Sequence, residues 1–243
     1  MTLIAFVGFK GSGKNTAAQP LQASGFHALS FADAIKDALA TIFRWDRAML
    51  EGDTPESRAW REQVDAWWAE RLGIPDFSPR RAMQLVGTEA MRDHFHPEVW
   101  VFSVERRISM LPPGSDVVLI DGRFPNELAM ARRLGGIVAR IRKGDDPEWF
   151  GIAARANAGD ADALHAMKHH YRVHASEWAW VGSPIDLTFE NDGTIEDLHA
   201  KVRSTFLTAG PILAGRPYAN GRSDRHPAPW HHAVRQRCPA SRP

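Results

Sequence analysis

The chain has 243 residues, 44% of them hydrophobic and 24% charged, with a formal net charge of +1. This is an ordinary composition for a folded protein with one sizeable core, and so even a charge balance gives no reason to expect attraction of the whole surface to nucleic acid or membrane. A single cysteine, Cys238, excludes an intramolecular disulfide and fits a reducing cytosol.

The N-terminal run Leu3 to Val7 is continuously apolar, reads as a buried strand and stops at Gly8. It is strand-length, and Met-Thr-Leu-Ile-Ala lacks the basic region of a signal peptide. No stretch approaches the roughly 20 apolar residues of a membrane helix, so a cytoplasmic location without a membrane partner is expected. From Lys14 the chain can turn helical, with Pro20 placed beyond that helix or kinking it. Phe26 to Phe31 reads as a short second strand, and Asp33 to Phe43 as an amphipathic helix. Residues from about 46 to 110 are rich in charge and tryptophan (Trp60, Trp67, Trp68) and read as a mostly helical insertion. Within it, Arg81 to His94 and Val99 to Met110 are helical. Val117 to Ile120 is the clearest later strand, followed at once by Asp121; Pro125 to Leu134 is a helix and Ile137 to Ile141 a strand. Strand, helix and strand with short connections make the βαβ unit of a parallel sheet. Residues 144–173 are polar, lack strand character and suit a surface lid. Ile185 to Phe189 is a last strand and Thr194 to Phe206 a last helix. After Thr208, Gly, Pro, Arg and His dominate without apolar periodicity, so 208–243 is expected to be a disordered tail beyond a domain spanning 1–207.

The stretch GFKGSGKNT follows the first strand directly. It matches the phosphate-binding loop G-x-x-x-x-G-K-[ST], except that Asn15 stands where a hydroxyl belongs and Thr16 brings the hydroxyl one residue late. Glycines let successive backbone N–H groups face phosphate oxygens, and the following helix N-terminus adds its dipole. Gly11, Ser12, Gly13, Lys14, Asn15 and Thr16 are therefore the expected ATP-binding residues. Lys14 supplies a mobile charge for the β- and γ-phosphates. The carbonyl of Asn15 has the reach of the missing hydroxyl and could hold Mg²⁺ directly or through water, while Thr16 could cap or pack.

Four further stretches join the loop in order: Ile35-Lys36-Asp37-Ala38-Leu39; Arg80-Arg81-Ala82-Met83-Gln84-Leu85-Val86-Gly87-Thr88 with Trp100 beyond; Asp121-Gly122-Arg123 with Glu127; and Asn191-Asp192-Gly193-Thr194. Together they resemble the deoxynucleoside monophosphate kinases of tailed bacteriophages, P-loop kinases whose loop often reads G-K-D-T. The resemblance runs from residue 3 to about 207. It implies a three-layer α/β P-loop NTPase fold with a central parallel sheet, a helical acceptor-site insertion and a lid. It also implies transfer of the γ-phosphate of ATP to a (deoxy)nucleoside monophosphate with Mg²⁺, in a host cytoplasm, and a homodimer, for which the tryptophan-rich insertion is the candidate surface.

On that resemblance Lys10 joins the expected ATP-binding residues, and Lys14, Arg81, Asp121 and Arg123 are the expected catalytic residues. Arg81 and Arg123 would hold the acceptor's 5′-phosphate, a task that suits the planar guanidinium; the commoner fate of an arginine is a surface salt bridge. Asp121, at the carboxyl edge of a parallel sheet, could hold Mg²⁺ through water, orient Arg123, or cap the helix from Pro125. Glu127 could bond the acceptor's sugar, hold an arginine, or remain a solvated helix charge. Gln84, Gly87, Thr88 and Trp100 would form the nucleoside pocket, although a tryptophan within VWVF is more often core. Lys36 could reach the acceptor phosphate or be solvated. Asn191 would lie near the donor adenine or serve a turn.

In the lid, Arg142 and Arg172 are candidate cations for the triphosphate. His170 and His174 have helical spacing, but no third ligand accompanies them and zinc is not expected. His174-x-Ser176-Glu177 resembles a further short stretch of the family. Two other readings stand beside this one: another small-molecule P-loop kinase, such as a dephospho-coenzyme A kinase, and a nucleotide-gated protein gripping nucleic acid through its arginine-bearing tail. Base preference and the choice of deoxyribose or ribose are not legible in the sequence.

Overall fold

A computed structural model describes residues 1–208. Five strands form one wholly parallel sheet in the order β2-β3-β1-β4-β5. They are β1 Leu3–Val7, β2 His27–Leu29, β3 Val117–Gly122, β4 Ile137–Arg142 and β5 Leu187–Glu190. The central strand β1 places Ile4 opposite Val118 on one side and Ile137 on the other. A parallel strand covered on both faces needs apolar side chains in both directions, and LIAFV supplies them.

The alternation of β1 divides two cores. Leu3, Ala5 and Val7 pack with Val101 and Val104 of α6 (Val99–Ser109), Leu128 and Met130 of α7 (Pro125–Arg133), and Trp178 and Trp180. Ile4 and Phe6 pack with Ala17 and Leu21 of α1 (Lys14–Gln22) and Leu198 and Val202 of α11 (Ile195–Arg203). Helices thus cover both faces of the sheet, the three-layer P-loop arrangement.

A third core belongs to the segment between β2 and β3. Here α2 (Asp33–Phe43), α3 (Pro55–Glu62), α4 (Ala66–Leu72), α5 (Pro79–Gln84) and a π-helix over Leu85–Phe95 enclose Ile35, Leu39, Leu50, Phe77 and Trp100. Phe43 stacks on Trp45 at 4.6 Å. Residues 144–173 contain α8 (Phe150–Asn157), α9 (Ala161–His165) and a π-helical turn over Ala166–Tyr171, before the short α10 (Ala175–Trp178). Ala153, Ala156, Ala163 and Met167 from this polar stretch are buried in the first core.

Several boundaries differ from the sequence expectation for physical reasons. β2 ends at Leu29 because the N–H groups of Phe31 and Ala32 turn to the Asp121 carboxylate. β5 starts at Leu187, since the Asp186 carboxylate takes the Val138 N–H that a strand residue would otherwise address. Pro20 lies inside α1, where it removes the donor for the Thr16 carbonyl; the His199 ring supplies one instead, at 2.9 Å. The expected tail lies, from residue 209 onward, outside the described residues. Among the described residues no helix is long and apolar enough to cross a membrane.

Candidate active site

The carboxyl ends of β1 and β3 open into a cleft of about 690 Å³. One wall is the glycine-rich loop entering α1. Gly13 sits at φ 99°, and a Cβ there would lie 2.5 Å from the Asn191 Nδ2. That amide donates to the Ser12 carbonyl at 2.8 Å, fixing the loop against the turn before α11. No side chain caps the N-terminus of α1, so its first N–H groups remain available to an anion.

Lys14 is buried, and its ammonium donates to the carbonyls of Gly8 at 2.7 Å and Phe9 at 3.0 Å. Burial, then the charge of Arg123, lowers its pKa to about 8, with Glu177 and Asp121 partly restoring it. The neighbouring Asn15 gives its amide N–H to Asp53 at 2.7 Å. Lys10 and Arg80 both bond the Glu62 carboxylate, at 2.7 and 2.6 Å.

At the end of β3, the Asp121 carboxylate takes three donors from the β2–α2 connection: the Ser30 hydroxyl at 2.5 Å and the N–H groups of Phe31 at 2.8 Å and Ala32 at 3.1 Å. It does not cap α7. That place belongs to Glu127, which accepts from the N–H groups of Arg123 at 2.7 Å and Phe124 at 3.1 Å and also pairs with Arg92. Burial raises the pKa of Glu127; Arg92 opposes that shift and Asp121 adds to it. Arg92 lies with its guanidinium 4.0 Å over the Phe124 ring.

Arg123 donates to Glu177 at 2.8 Å and to the Ser176 carbonyl at 3.2 Å. Burial works against its charge, but Glu177, and then Asp121 and Glu127, outweigh that and raise its pKa. Burial likewise opposes the charge of Glu177, yet Arg123 and Arg80 hold its pKa low. The stretch His174-x-Ser176-Glu177 thereby has a structural account. His174 accepts the Ser176 N–H at the start of α10, and Glu177 points at Arg123.

The opposite wall is the insertion. Lys36, Gln84, Gly87 and Thr88 line it beside Ile35 and Met83. Lys36 is buried and paired with Glu51, so it is not a solvated helix lysine.

Three sequence expectations need correction. Trp100 does not offer its ring to the cleft: it is 6% exposed in the third core, and its indole N–H donates to the Gly87 carbonyl at 2.8 Å. Arg81 lines a second, shallower opening and is drawn there by Glu89 at 3.6 Å and Asp76 at 3.9 Å. Arg142 lines neither opening, held by Glu190 on β5 at 3.4 Å and by Asp146 at 3.9 Å. Ser12 is buried behind the loop, with its hydroxyl unpartnered. Arg172 lines the second opening. Conversely, Arg58, Arg61, Arg80 and Arg92 line the cleft and are not among the sequence candidates. Arg80 lies inside the RRAMQ stretch, whereas Arg58, Arg61 and Arg92 carry no local signal.

No family model matches the chain. A protein of Acanthamoeba polyphaga mimivirus, named as a deoxynucleotide monophosphate kinase, is 29% identical over 215 residues, covering 84% of this chain and 95% of its own. The chain is a relative of the viral deoxynucleoside monophosphate kinases. It is a phosphotransferase. The deoxynucleoside-5′-monophosphate kinase of Escherichia phage T5 matches more locally, 45% identical over 56 residues, 23% of this chain and 22% of that one. Among solved structures, a dephospho-CoA kinase from Campylobacter jejuni covers 84% of this chain and 96% of its own at 14% identity and a TM-score of 0.42. That likeness is too distant to carry a role.

Proposed function

We propose that the chain transfers the γ-phosphate of ATP to a deoxynucleoside 5′-monophosphate, yielding the diphosphate and ADP for DNA synthesis during viral replication in a host cytoplasm. The observation that carries this is one cleft lined together by the phosphate loop, by Lys36, Gln84 and Thr88 of the insertion, and by Arg123 at the end of β3. The viral relatives named for this acceptor support the choice.

Phosphoryl transfer asks the protein for positioning and positive charge rather than covalent chemistry. The N–H groups at the start of α1 and Lys14 hold the donor phosphates. Lys14 exchanges the Gly8 and Phe9 carbonyls for phosphate oxygens, which favours its protonated form. Arg123, preset by Glu177, stands where charge develops. Asp121 keeps the β2–α2 connection, and with it Lys36, at the acceptor's end. Gln84 and Thr88 address the base edge.

Among the described residues no three His, Cys, Asp or Glu side chains cluster to enclose a metal. That suits Mg²⁺, which is held by one or two protein oxygens and the substrate's phosphates. Asn15, whose amide N–H is committed to Asp53, would offer its carbonyl oxygen to the ion, and Asp121 would hold it through water. When bound, the ion supplies charge neutralisation on the β- and γ-phosphates. A mobile role for residues 144–173 as a lid, and a homodimer through the insertion that exposes Trp67, belong to the same proposal.

The test is ADP formation from ATP and Mg²⁺ with each deoxy- and ribonucleoside monophosphate, beside Lys14→Ala. Stimulation by particular monophosphates, lost in the variant, is the expected result. Tight ATP binding with no stimulation by any monophosphate would overturn the proposal.

A further inference from the structure

Arg61, the penultimate residue of α3, differs from the other less exposed arginines of the cleft; Arg58, which also lines it, is exposed and among the described residues reaches only the Asp53 carbonyl, at 3.3 Å. Arg80 is held by Glu62, Arg92 by Glu127 and Arg123 by Glu177. Arg61 makes no ion pair within 4 Å among the described residues. Its guanidinium reaches only two backbone carbonyls, at 3.4 Å on Leu50 and 3.2 Å on Glu51, and its Nε is shut off from solvent without an acceptor.

Its electrostatics are equally unfavourable. Burial, then the charge of Arg80, lowers its pKa, with a further push from Arg123; Glu62 and Asp53 compensate only in part. A guanidinium compensated only in part, with two others near it, is costly unless an anion joins them. The fold also makes room for it. Gly52 has φ 70°, which favours glycine, and a Cβ there would come within 2.1 Å of the guanidinium carbon, so a side chain at position 52 would push the guanidinium from its place.

We infer that Arg61 binds the 5′-phosphate of the acceptor, completing with Arg80 and Arg123 a three-arginine anion site where the insertion meets the glycine-rich loop, the two being joined by Glu62 between Arg80 and Lys10 and by Asp53 on Asn15. This rests on the kinase reading and assigns within it the place that Arg81 does not occupy. The acceptor rather than the donor is its ligand because Arg61 rides on the insertion that carries Lys36, Gln84 and Thr88, whereas the donor phosphates have the loop and Lys14. A planar fork suits two phosphate oxygens, and a charge-assisted bond there outweighs the two long carbonyl contacts it replaces.

The experiment is calorimetric titration of the full chain with each of the four deoxynucleoside 5′-monophosphates and, separately, with ATP and Mg²⁺. Wild type is compared with Arg61→Gln, Arg61→Lys and Gly52→Ala, and melting temperatures are recorded. Arg61→Gln should weaken the acceptor roughly 10- to 100-fold, the loss of one charge-assisted contact, and leave ATP within about twofold. Its melting temperature should hold or rise, because a like charge has been removed. Arg61→Lys should fall between, lacking the fork. Gly52→Ala should mimic Arg61→Gln by displacing the guanidinium. Unchanged acceptor affinity in Arg61→Gln, with or without a lower melting temperature, would overturn the inference while the kinase reading stands. Equal loss of ATP and acceptor would also overturn it. A wild-type chain that binds ATP but no monophosphate would remove both.

Discussion

Lys14 sets the behaviour of the cleft at the scale of one residue. Its pKa of about 8 lies well below the ordinary lysine value, so the empty cleft tolerates its charge poorly. Anion binding favours the protonated form, so ATP affinity should be level below pH 8 and weaken as pH rises through it. Titrating ATP between pH 7 and 9.5 checks this, and a flat profile would show that Lys14 does not meet the phosphates as an ammonium. The same shift has a consequence for folding. Between about 8 and the unfolded value of 10.5 the unfolded chain binds more protons, so stability contributed here rises with pH in that window. A shift of this size corresponds to about 3 kcal/mol. Lys14→Met should therefore melt higher than wild type at pH 7, and the gap should narrow towards pH 10. A gap that widened with pH would contradict the assignment. Lys14 was legible in the sequence because a glycine-rich turn after an apolar strand constrains what can follow. Arg61 and Arg92 were not legible: each sits among helix charges that look solvated until tertiary packing brings Gly52 or Glu127 against them.

At the scale of elements, α1 carries a proline in its body, and its cost is met from across the molecule. The Thr16 carbonyl loses its helical donor to Pro20 and takes the His199 ring instead. His199→Ala should then lower stability by about 1–3 kcal/mol, the cost of an unpaired carbonyl. Pro20→Ala should reduce that loss by restoring a backbone N–H. A double-mutant cycle in denaturant measures the coupling, and additive effects would refute the link. The π-helix over Leu85–Phe95 depends on a partner in a similar way. Trp100→Phe keeps the ring's bulk but removes the donor to the Gly87 carbonyl. It should cost about 1–3 kcal/mol and raise the acceptor's KM more than that of ATP. If Trp100 stacked on the base instead, phenylalanine would largely preserve acceptor binding. Here sequence periodicity did well for long elements such as α2 and α6. It did less well for β2 and β5, whose ends are decided by Asp121 and Asp186 reaching between elements. It missed the alanine-lined underside of residues 144–173, because alanines scattered among charges give a weak apolar signal. Trp100 was misassigned for a related reason: an indole can stack or pack, and only the fold decides which.

The whole molecule holds its cleft by bonds between segments remote in the chain. Asn191 fastens the Ser12 carbonyl, His199 the Thr16 carbonyl, and Asp121 the turn after β2. The glycine-rich loop, at the start of the sequence, is thus shaped by residues near position 200, and neither half of the sheet can present the site alone. Among the described residues, 1–208, the chain already assembles the glycine-rich loop, the opposite wall of the cleft and the two cores on either side of β1. A chain ending at Thr208 should therefore fold, keep its melting temperature, and turn over ATP and acceptor within about twofold of the full chain, the spread expected for changes away from packed contacts. A chain ending at Glu190 should not, since it loses Asn191, Leu198 and His199 together, and with them the cover of one face of the sheet. The comparison separates two accounts of residues 209–243. Retained turnover makes them dispensable to the reaction and leaves their arginines free for another purpose. Lost turnover at an unchanged melting temperature would instead make the tail a contributor to the active site.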